Sequence, residues 1–330
     1  MRIRAFGDVL KVWLYAAAVV ALGAWLAPLL FNAGKALAEV SSSRVTNDPL
    51  KWLGAHCQKA DFPQFFTASL LLAAAVLFFP WLRWLRPKPD PAPPESDPAT
   101  PDEEEAAAPK PRPACWNIIR GTWHGSAGFL LVAEMWLALA GGLVLTGFFR
   151  PHHPTGGWET FVLSGLASSF ALAVLLEVFF RGWVMAVFLR AMRPAVAIGM
   201  NAVFFALAFA VLVPHRPIAV DPETAGAGFR LLRLMADRTA DWPNACEILV
   251  PLLALGGVLA YARWRTAALW LPIGLHTGWL FAREAQVALL DPIAGAPYLT
   301  GGPWSQGWIP AITIVLAGML ARRFTANPPS

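Results

Sequence analysis

The chain has 330 residues, of which 57% are hydrophobic and only 14% are charged, and its net charge is +5. This composition excludes a soluble globular domain of such length and indicates a polytopic membrane protein. Basic residues that meet anionic lipid headgroups account for the positive charge, and the sequence carries no nucleic-acid-binding motif, so membrane lipid is an expected partner and nucleic acid is not.

Apolar windows along the chain predict an all-α transmembrane helical bundle with about eight spans. A helix needs about 20 apolar residues to cross the hydrocarbon core of a bilayer. The windows cover approximately residues 11–35, 61–83, 126–149, 158–180, 193–216, 243–262, 266–282 and 303–321. They are continuously apolar and do not alternate with a period of two, which argues against a β-barrel.

The first window follows Met1-Arg2-Ile3-Arg4, a basic start of the kind that opens a secretory signal. Its uncharged core is longer than that of a usual signal peptide, so the sequence predicts a retained signal anchor.

Basic residues gather on one side of the eight-span arrangement, and basic loops favour the cytoplasm. We therefore expect both termini to be cytoplasmic, in the inner (plasma) membrane of a bacterium. The residues concerned are Arg2, Arg4, Lys11, Arg83, Arg86, Lys88, Arg190, Arg193, Arg263, Arg265, Arg322 and Arg323. The opposite loops carry Lys35, Arg44, Lys51 and Lys59, so the bias is incomplete.

A segment rich in proline, alanine and acid divides the chain. Residues 87–114 have no apolar periodicity and predict a disordered cytoplasmic linker, because such a composition buries too little to fold. The linker separates two N-terminal transmembrane helices, residues 1–86, from a six-helix membrane domain, residues 115–330. Between the fifth and sixth windows, residues 229–238 have one charged and one apolar face, which is typical either of a helix in the outer membrane interface or of an ordinary packed connecting helix.

No metal or cofactor site is expected from the sequence. The three cysteines include no CxxC pair. His152 and His153 are adjacent in an outer loop, and two neighbouring side chains cannot enclose an ion by themselves.

The stretch "LLEVFFRGW", residues 175–183, places two charges in an apolar run. Glu177 and Arg181 are four residues apart, so on a helix their side chains face each other and form an ion pair. Charged residues at membrane depth usually face the bundle interior or a wet cavity and mark functional sites. The alternative is structural: Arg181 reaches toward the headgroups and Glu177 neutralises it.

Three stretches resemble the motifs of the CPBP family, membrane peptidases that include the CAAX prenyl endopeptidases and the bacteriocin-processing proteins. "LEVFFRG" is similar to that family's first motif, Glu-Glu-x-x-x-Arg, and "NAVFFALAF", residues 201–209, to its second, Phe-x-x-x-His. "ALWLPIGLHTGWLF", residues 268–281, is similar to the third, in which a polar residue follows a histidine by four positions. Together the motifs place a CPBP-like core at about residues 160–282.

The resemblance also shows where this chain departs from the family. The first glutamate and the second-motif histidine, which activate water in the family's pattern, correspond to Leu176 and Phe209. The third-motif pair, which stabilises the oxyanion, corresponds to His276 and Leu280. Glu177 and Arg181 match the second glutamate and the arginine. Leucine and phenylalanine neither take a proton nor stabilise an oxyanion.

Three functions from different classes remain open. The favoured one is a degraded, non-catalytic homologue that binds membrane-embedded peptide or protein segments, with a cavity near Glu177, Phe209 and His276. The second is an active intramembrane endopeptidase with a rearranged site. In it, Glu177 and His276 are the candidate catalytic residues, and Arg181 and Trp279 support them. Alternatively, a polar side chain from another span enters the site; the candidates are Glu134, Glu247 and His215. The third is a transporter or a structural membrane component.

A purely structural role for His276 is also open. A helical histidine with Trp279 three residues on is often a satisfied core residue, hydrogen-bonded to a neighbouring carbonyl.

Overall fold

A computed structural model describes residues 2–43, 47–85, 114–154, 157–212, 219–240, 242–293 and 308–324. Within these ranges the chain is almost entirely helical. The predicted linker, apart from its last residue, lies outside the described residues, as does His215.

Eleven α-helices, one π-helical segment and two short strands make up the described structure, in the following order along the chain. They are α1 (Arg2–Ser43), α2 (Asp48–Lys59), α3 (Phe62–Leu85), α4 (Ala114–Leu145), β1 (Phe149–Pro151), α5 (Trp158–Glu177), the π-helical segment (Val178–Val184), α6 (Met185–Ala191), α7 (Pro194–Leu212), α8 (Ala227–Ala240), α9 (Trp242–Thr266), α10 (Trp270–Leu289), β2 (Leu290–Pro292) and α11 (Trp308–Phe324).

Within the described residues, each of the eight apolar windows overlaps a helix, so the predicted all-α fold is confirmed. Six helical stretches in the described part are long and apolar enough to cross a membrane: Phe6–Ser42, Phe62–Leu85, Gly121–Leu145, Trp158–Ala191, Pro194–Val211 and Ala245–Thr266. The two remaining windows correspond to α10, which carries several polar side chains, and α11, which has 17 residues. The protein is an integral membrane protein whose apolar helix surfaces contact lipid.

Helices α1 and α3 form an antiparallel hairpin that is held by side-chain hydrogen bonds. The Tyr15 hydroxyl donates to the carbonyl of Ala74 at 2.9 Å, and the Ser69 hydroxyl donates to that of Gly23 at 2.7 Å. Trp81 donates its indole N–H to the carbonyl of Lys11 at 3.2 Å. We call α1 and α3 the N-terminal hairpin.

Two shorter helices pack on the hairpin. The apolar windows did not predict helix α2. At its C-terminal end, the Lys35 ammonium donates hydrogen bonds to the carbonyls of Cys57, Gln58 and Ala60 at 2.8–3.0 Å. A cation suits this place because the last carbonyls of a helix lack partners within it. Helix α8 covers the predicted amphipathic stretch and buries Leu231 against the hairpin while Phe229 stays exposed.

Helix α10 lies against α4, and glycines allow the two backbones to touch. A Cβ at Gly274 would overlap the carbonyl oxygen of Gly125, and one at Gly278 would come within 3.0 Å of the carbonyl oxygen of Phe129. Small residues spaced by four permit this approach between transmembrane helices. Because Gly274 and Gly278 turn one face of α10 toward α4, His276 between them points to the opposite side.

A short sheet joins the C-terminal ends of α4 and α10. The all-α prediction did not include this sheet. Strand β1 pairs with β2 in antiparallel register, with Arg150 opposite Asp291. Beside it, Nδ1 of His152 lies 3.3 Å from a carboxylate oxygen of Asp291.

Candidate functional site

Three helical segments bring Glu177, Arg181 and His276 together inside the bundle. Glu177 is the last residue of α5, Arg181 lies in the π-helical segment, and His276 lies in the middle of α10. All three side chains are at most 1% exposed. We call these three residues the polar cluster. Glu177 and His276 are 99 positions apart in sequence, so only the packing of α5 against α10 brings them into contact.

One carboxylate oxygen holds the polar cluster together. The Nη1 atom of Arg181 donates to Oε1 of Glu177 at 3.1 Å, which is the ion pair that the spacing predicts. Nδ1 of His276 lies 2.6 Å from the same oxygen. A neutral imidazole protonated at Nδ1 donates a hydrogen bond there and is held in one orientation. With that tautomer, the carboxylate faces one cation and one neutral donor, so the charges balance among side chains with almost no exposed surface.

Arg181 also contacts residues of two other helices. Its Nη2 atom donates to the carbonyl of Gly256 at 3.3 Å, and its guanidinium carbon lies 4.4 Å from the centre of the Phe205 ring. An arginine this close to a ring face gains cation–π attraction, which strengthens where water is absent. The Gly256 carbonyl is reachable because α9 lies close to α7: a Cβ at Gly256 would be 2.9 Å from Cα of Ala202.

Aromatic rings surround the polar cluster on the α7 side. The Phe205 ring meets that of His276 edge-on at 5.9 Å, and the Phe209 ring lies 4.5 Å from that of Phe205. Leu176 is buried in the same apolar core, and Leu280 is half-buried on α10. The three motif positions that depart from the family's pattern therefore carry apolar side chains in the folded chain.

Asn201 is a buried polar residue that the sequence analysis did not single out. It is fully buried on α7, and its Nδ2 donates to the carbonyl of Phe180 in the π-helical segment at 2.9 Å. Its position inside an apolar span is a signal that would have identified it. The Gly256 carbonyl offered no such signal, because every residue has one.

Several polar atoms of this region are buried and have no hydrogen-bond partner among the described residues. They are Oε2 of Glu177, Nε of Arg181 and Oδ1 of Asn201. A buried polar atom without a partner is costly, so these atoms are available to an ordered water or to a polar group of a ligand.

Trp279 does not join the polar cluster. It lines a small apolar cavity on another side of α10, together with side chains of α4, α9 and α11 that include Met135, Leu255 and Ile314. The expected cavity beside Glu177 and His276 is not what the described residues show, because the polar cluster is enclosed by side chains and has almost no exposed surface.

Of the other candidate polar residues, the structure describes Glu134 and Glu247. Glu134 is exposed on α4, and Glu247 is half-buried near the start of α9. The hydrogen-bond partner of His276 is instead Glu177, an acid already in the first motif. Within the described ranges, no group of three His, Cys, Asp or Glu side chains is arranged to hold a metal ion.

Comparison with models of known families matches residues 158–282 to the family "Type II CAAX prenyl endopeptidase Rce1-like". The match covers the three motif stretches and confirms the resemblance to the CPBP membrane peptidases. It covers less than half of the chain, so α1 to α4 and α11 lie outside it. No curated protein and no solved structure matches this chain.

Proposed function

We propose that this protein is a non-catalytic relative of the CAAX-type intramembrane endopeptidases and that it binds membrane-embedded peptide or protein segments without cutting them. The observation that carries the proposal is the apolar character of the positions that correspond to the water-activating pair. Leu176 and Phe209 pack in the core and have no group that takes a proton from water.

The polar cluster does not replace the missing base. Oε1 of Glu177 already accepts from Arg181 and His276, so one carboxylate oxygen is committed to holding the helices together. Loss of a general base typically lowers the rate about 100- to 10,000-fold, and loss of an oxyanion donor costs a further 100- to 1,000-fold. Both losses together leave little hydrolysis.

Unpaired polar atoms favour binding over a purely structural role. Oε2 of Glu177 is an acceptor, and Nε of Arg181 is a donor. Neither atom has a hydrogen-bond partner among the described residues. A locally unwound membrane segment exposes a backbone N–H and a carbonyl, which need such partners in a medium without water. The polar cluster is therefore chemically suited to a peptide group of an apolar segment.

The alternative function is an active endopeptidase with a rearranged site, and one contact favours it. The 2.6 Å approach of Glu177 Oε1 to His276 Nδ1 is the carboxylate–imidazole arrangement in which an acid orients a histidine for proton transfer. In that case the other ring nitrogen of His276, Nε2, is the atom that takes the proton from water.

A cleavage assay separates the two functions. Wild type, Glu177→Ala, His276→Ala and the double variant Leu176→Glu with Phe209→His are reconstituted in lipid with membrane-tethered reporter peptides. We expect no cleavage by wild type and a gain of cleavage in the double variant, which restores the water-activating pair. Cleavage by wild type that either alanine variant abolishes would refute the non-catalytic function.

A photocrosslinking assay tests binding directly. A benzophenone side chain replaces Phe209 or, as a control, Leu163, which is 71% exposed on α5. We expect the probe at position 209 to capture a single-span reporter peptide and the probe at position 163 to capture mainly lipid. Equal capture of the peptide from both positions would show random contact within the bilayer and contradict specific binding.

We further propose that the protein resides in the inner (plasma) membrane of a bacterium with both termini in the cytoplasm. The support is the one-sided distribution of basic residues. In the structure, the ends of α3, α9 and α11 carry Arg83, Arg263 with Arg265, and Arg322 with Arg323. Basic residues at helix ends favour the cytoplasmic face.

A further inference from the structure

The N-terminal hairpin covers the helices that build the polar cluster. Val12 of α1 is fully buried and shares one apolar core with Val184, Phe188 and Phe204 of the π-helical segment, α6 and α7. All three of these residues are at most 3% exposed. The hairpin lies outside residues 158–282, so an element beyond the matched family region closes one side of that region.

The N-terminal hairpin contacts the motif helices through aromatic rings. We call this contact, formed by Trp13, Tyr15, Phe179 and Phe204, the seam. Trp13 of α1 meets Phe204 of α7 edge-on at 5.2 Å, and Tyr15 lies 6.0 Å from Phe179 of the π-helical segment. Two rings, Phe180 and Phe205, separate Phe204 of this seam from the polar cluster, since Phe180 contacts Phe204 at 5.9 Å and Phe205 at 5.1 Å. Phe205 in turn packs on Arg181 and His276.

The seam differs in chemistry from the inside of the hairpin. Within the hairpin, hydrogen bonds from Tyr15, Ser69 and Trp81 join α1 to α3. The seam contacts named above are made by ring faces and edges. Lipid tails are as apolar as these side chains, so separating the seam in a bilayer exchanges one apolar contact for another, whereas splitting the hairpin would break hydrogen bonds.

The opposite wall is built to stay closed. There α10 touches α4 through Gly125 and Gly274 with direct backbone contact, and any displacement would leave a gap that no side chain fills. The N-terminal hairpin also has one backbone contact, with α8, where a Cβ at Gly228 would overlap the carbonyl oxygen of Ala24, so α8 moves with the hairpin. The wall formed by α10 and α4 is therefore sealed by backbone packing, whereas the hairpin meets the motif helices through aromatic side chains.

We propose that the N-terminal hairpin is a lateral lid over the polar cluster, and that a membrane segment reaches Glu177, Arg181 and His276 from the bilayer by displacing α1 and α3, with α8 attached to them, as one unit. This inference rests on the proposed function, because it describes how access to that same site is controlled. It assigns the two helices outside the matched region a gating role.

Carbene labelling from the lipid phase tests the lid without any ligand. The full-length protein is reconstituted in phosphatidylcholine vesicles that contain a phospholipid with a diazirine in its acyl chain, and insertion is mapped by mass spectrometry. Trp13→Ala weakens the seam, and Trp25→Ala is the matched control because Trp25 is 57% exposed on the same helix.

We expect Trp13→Ala to raise labelling of Val184 and Phe180 by roughly three- to tenfold, the effect of losing one ring pair on an opening equilibrium. Trp25→Ala and Trp13→Phe should leave labelling at the wild-type level. Leu259, which is fully buried on α9, should stay unlabelled in all variants. Should Trp13→Ala not fold, Trp13→Leu gives a milder version of the same comparison.

Three outcomes would overturn the lid. Unchanged labelling of Val184 and Phe180 would mean that the seam does not open, and an equal rise at Leu259 would indicate general loosening. Labelling confined to Phe204 would indicate only a hole left by the missing indole. Because no peptide is added, failure of the lid is distinct from failure of peptide binding in the photocrosslinking assay.

Discussion

Glu177 is the residue on which the polar cluster depends. It is fully buried at membrane depth, and its Oε1 atom accepts from both other members. Removing one partner of a buried pair leaves an uncompensated charge, whereas removing both can be nearly neutral. This asymmetry allows the energetic role of the pair to be measured separately from its chemistry.

Glu177→Gln should destabilise the protein by about 3–5 kcal/mol, because it leaves the Arg181 guanidinium buried without its counter-charge. Adding Arg181→Met to that variant should recover most of the loss, since methionine fills similar space without a charge. Unfolding in mixed detergent micelles gives both free energies. A double variant no more stable than Glu177→Gln would show that Arg181 acts through its other contacts, with Gly256 and Phe205.

His276 contributes through one hydrogen bond to a charged acceptor. His276→Ala should lower the free energy of unfolding by about 1.5–3 kcal/mol, the usual range for such a bond. His276→Asn keeps an N–H donor near the place of Nδ1, so it should lower the free energy of unfolding distinctly less than His276→Ala does. The same detergent unfolding measurement compares the two. Equal losses would mean that packing of the ring against Phe205, rather than the hydrogen bond, is what the fold needs.

The residue types of the polar cluster were predictable from the sequence only in part. The pairing of Glu177 with Arg181 followed from their spacing on one helix, while His276 entered through the motif resemblance. Glu177 contacts His276 only because α5 packs against α10. No pattern of neighbouring residues in the sequence predicts which helices pack together. Trp279 was placed with the candidate site but lines a different cavity, between α10 and side chains of α4, α9 and α11. Residues three apart share a side of a helix, so the spacing alone did not show which neighbouring helices the indole meets.

At the scale of elements, the sequence predicted where helices lie better than where they begin and end. The first window, residues 11–35, lies inside a helix that covers Arg2–Ser43, and the window at 158–180 continues through the π-helical segment into α6. Hydropathy marks the part of a helix that suits lipid, whereas helix ends depend on capping and packing. Helix α2 is short and amphipathic and therefore gave no apolar window.

The contact between α4 and α10 predicts a strong position dependence for glycine replacement. Gly274→Ala should destabilise the protein by about 1–3 kcal/mol because the new Cβ overlaps the Gly125 carbonyl and forces the helices apart. Gly257→Ala on α9 is the matched control, since nothing lies within 4 Å of its added Cβ. It should be neutral or stabilising by up to about 1 kcal/mol through helix propensity. Equal stability of both variants in detergent unfolding would contradict the close approach.

At the scale of the whole molecule, the N-terminal hairpin, α1 with α3, packs against helices of the matched region, and α4 packs against α10 of that region. The predicted division at residues 87–114 is consistent with this but stays a prediction, because the linker lies almost wholly outside the described residues. The hairpin and the core share one apolar cluster, so the sequence boundary is not a boundary in the packing.

The proposed orientation of the chain predicts which loops a membrane-impermeant maleimide can reach. In a background without Cys57, Cys115 and Cys246, Glu223→Cys between α7 and α8 should react in intact cells. Arg190→Cys, at the end of α6, should react only after the membrane is permeabilised. Both side chains are exposed in the structure, so a difference in reactivity reports the side of the membrane. The reverse pattern would place the termini outside the cytoplasm.

The sequence by itself determined that this protein lies in a membrane, that it is helical, and that its middle part resembles a family of peptidases whose water-activating residues it lacks. Composition and local motifs carry that information because each depends on residues close together in the chain. Only the tertiary structure decided that Glu177 joins Arg181 to His276, that Asn201 anchors the π-helical segment, and that α1 and α3 cover the polar cluster. Those contacts join residues from distant parts of the chain, and which helix faces meet is set by packing across the whole bundle.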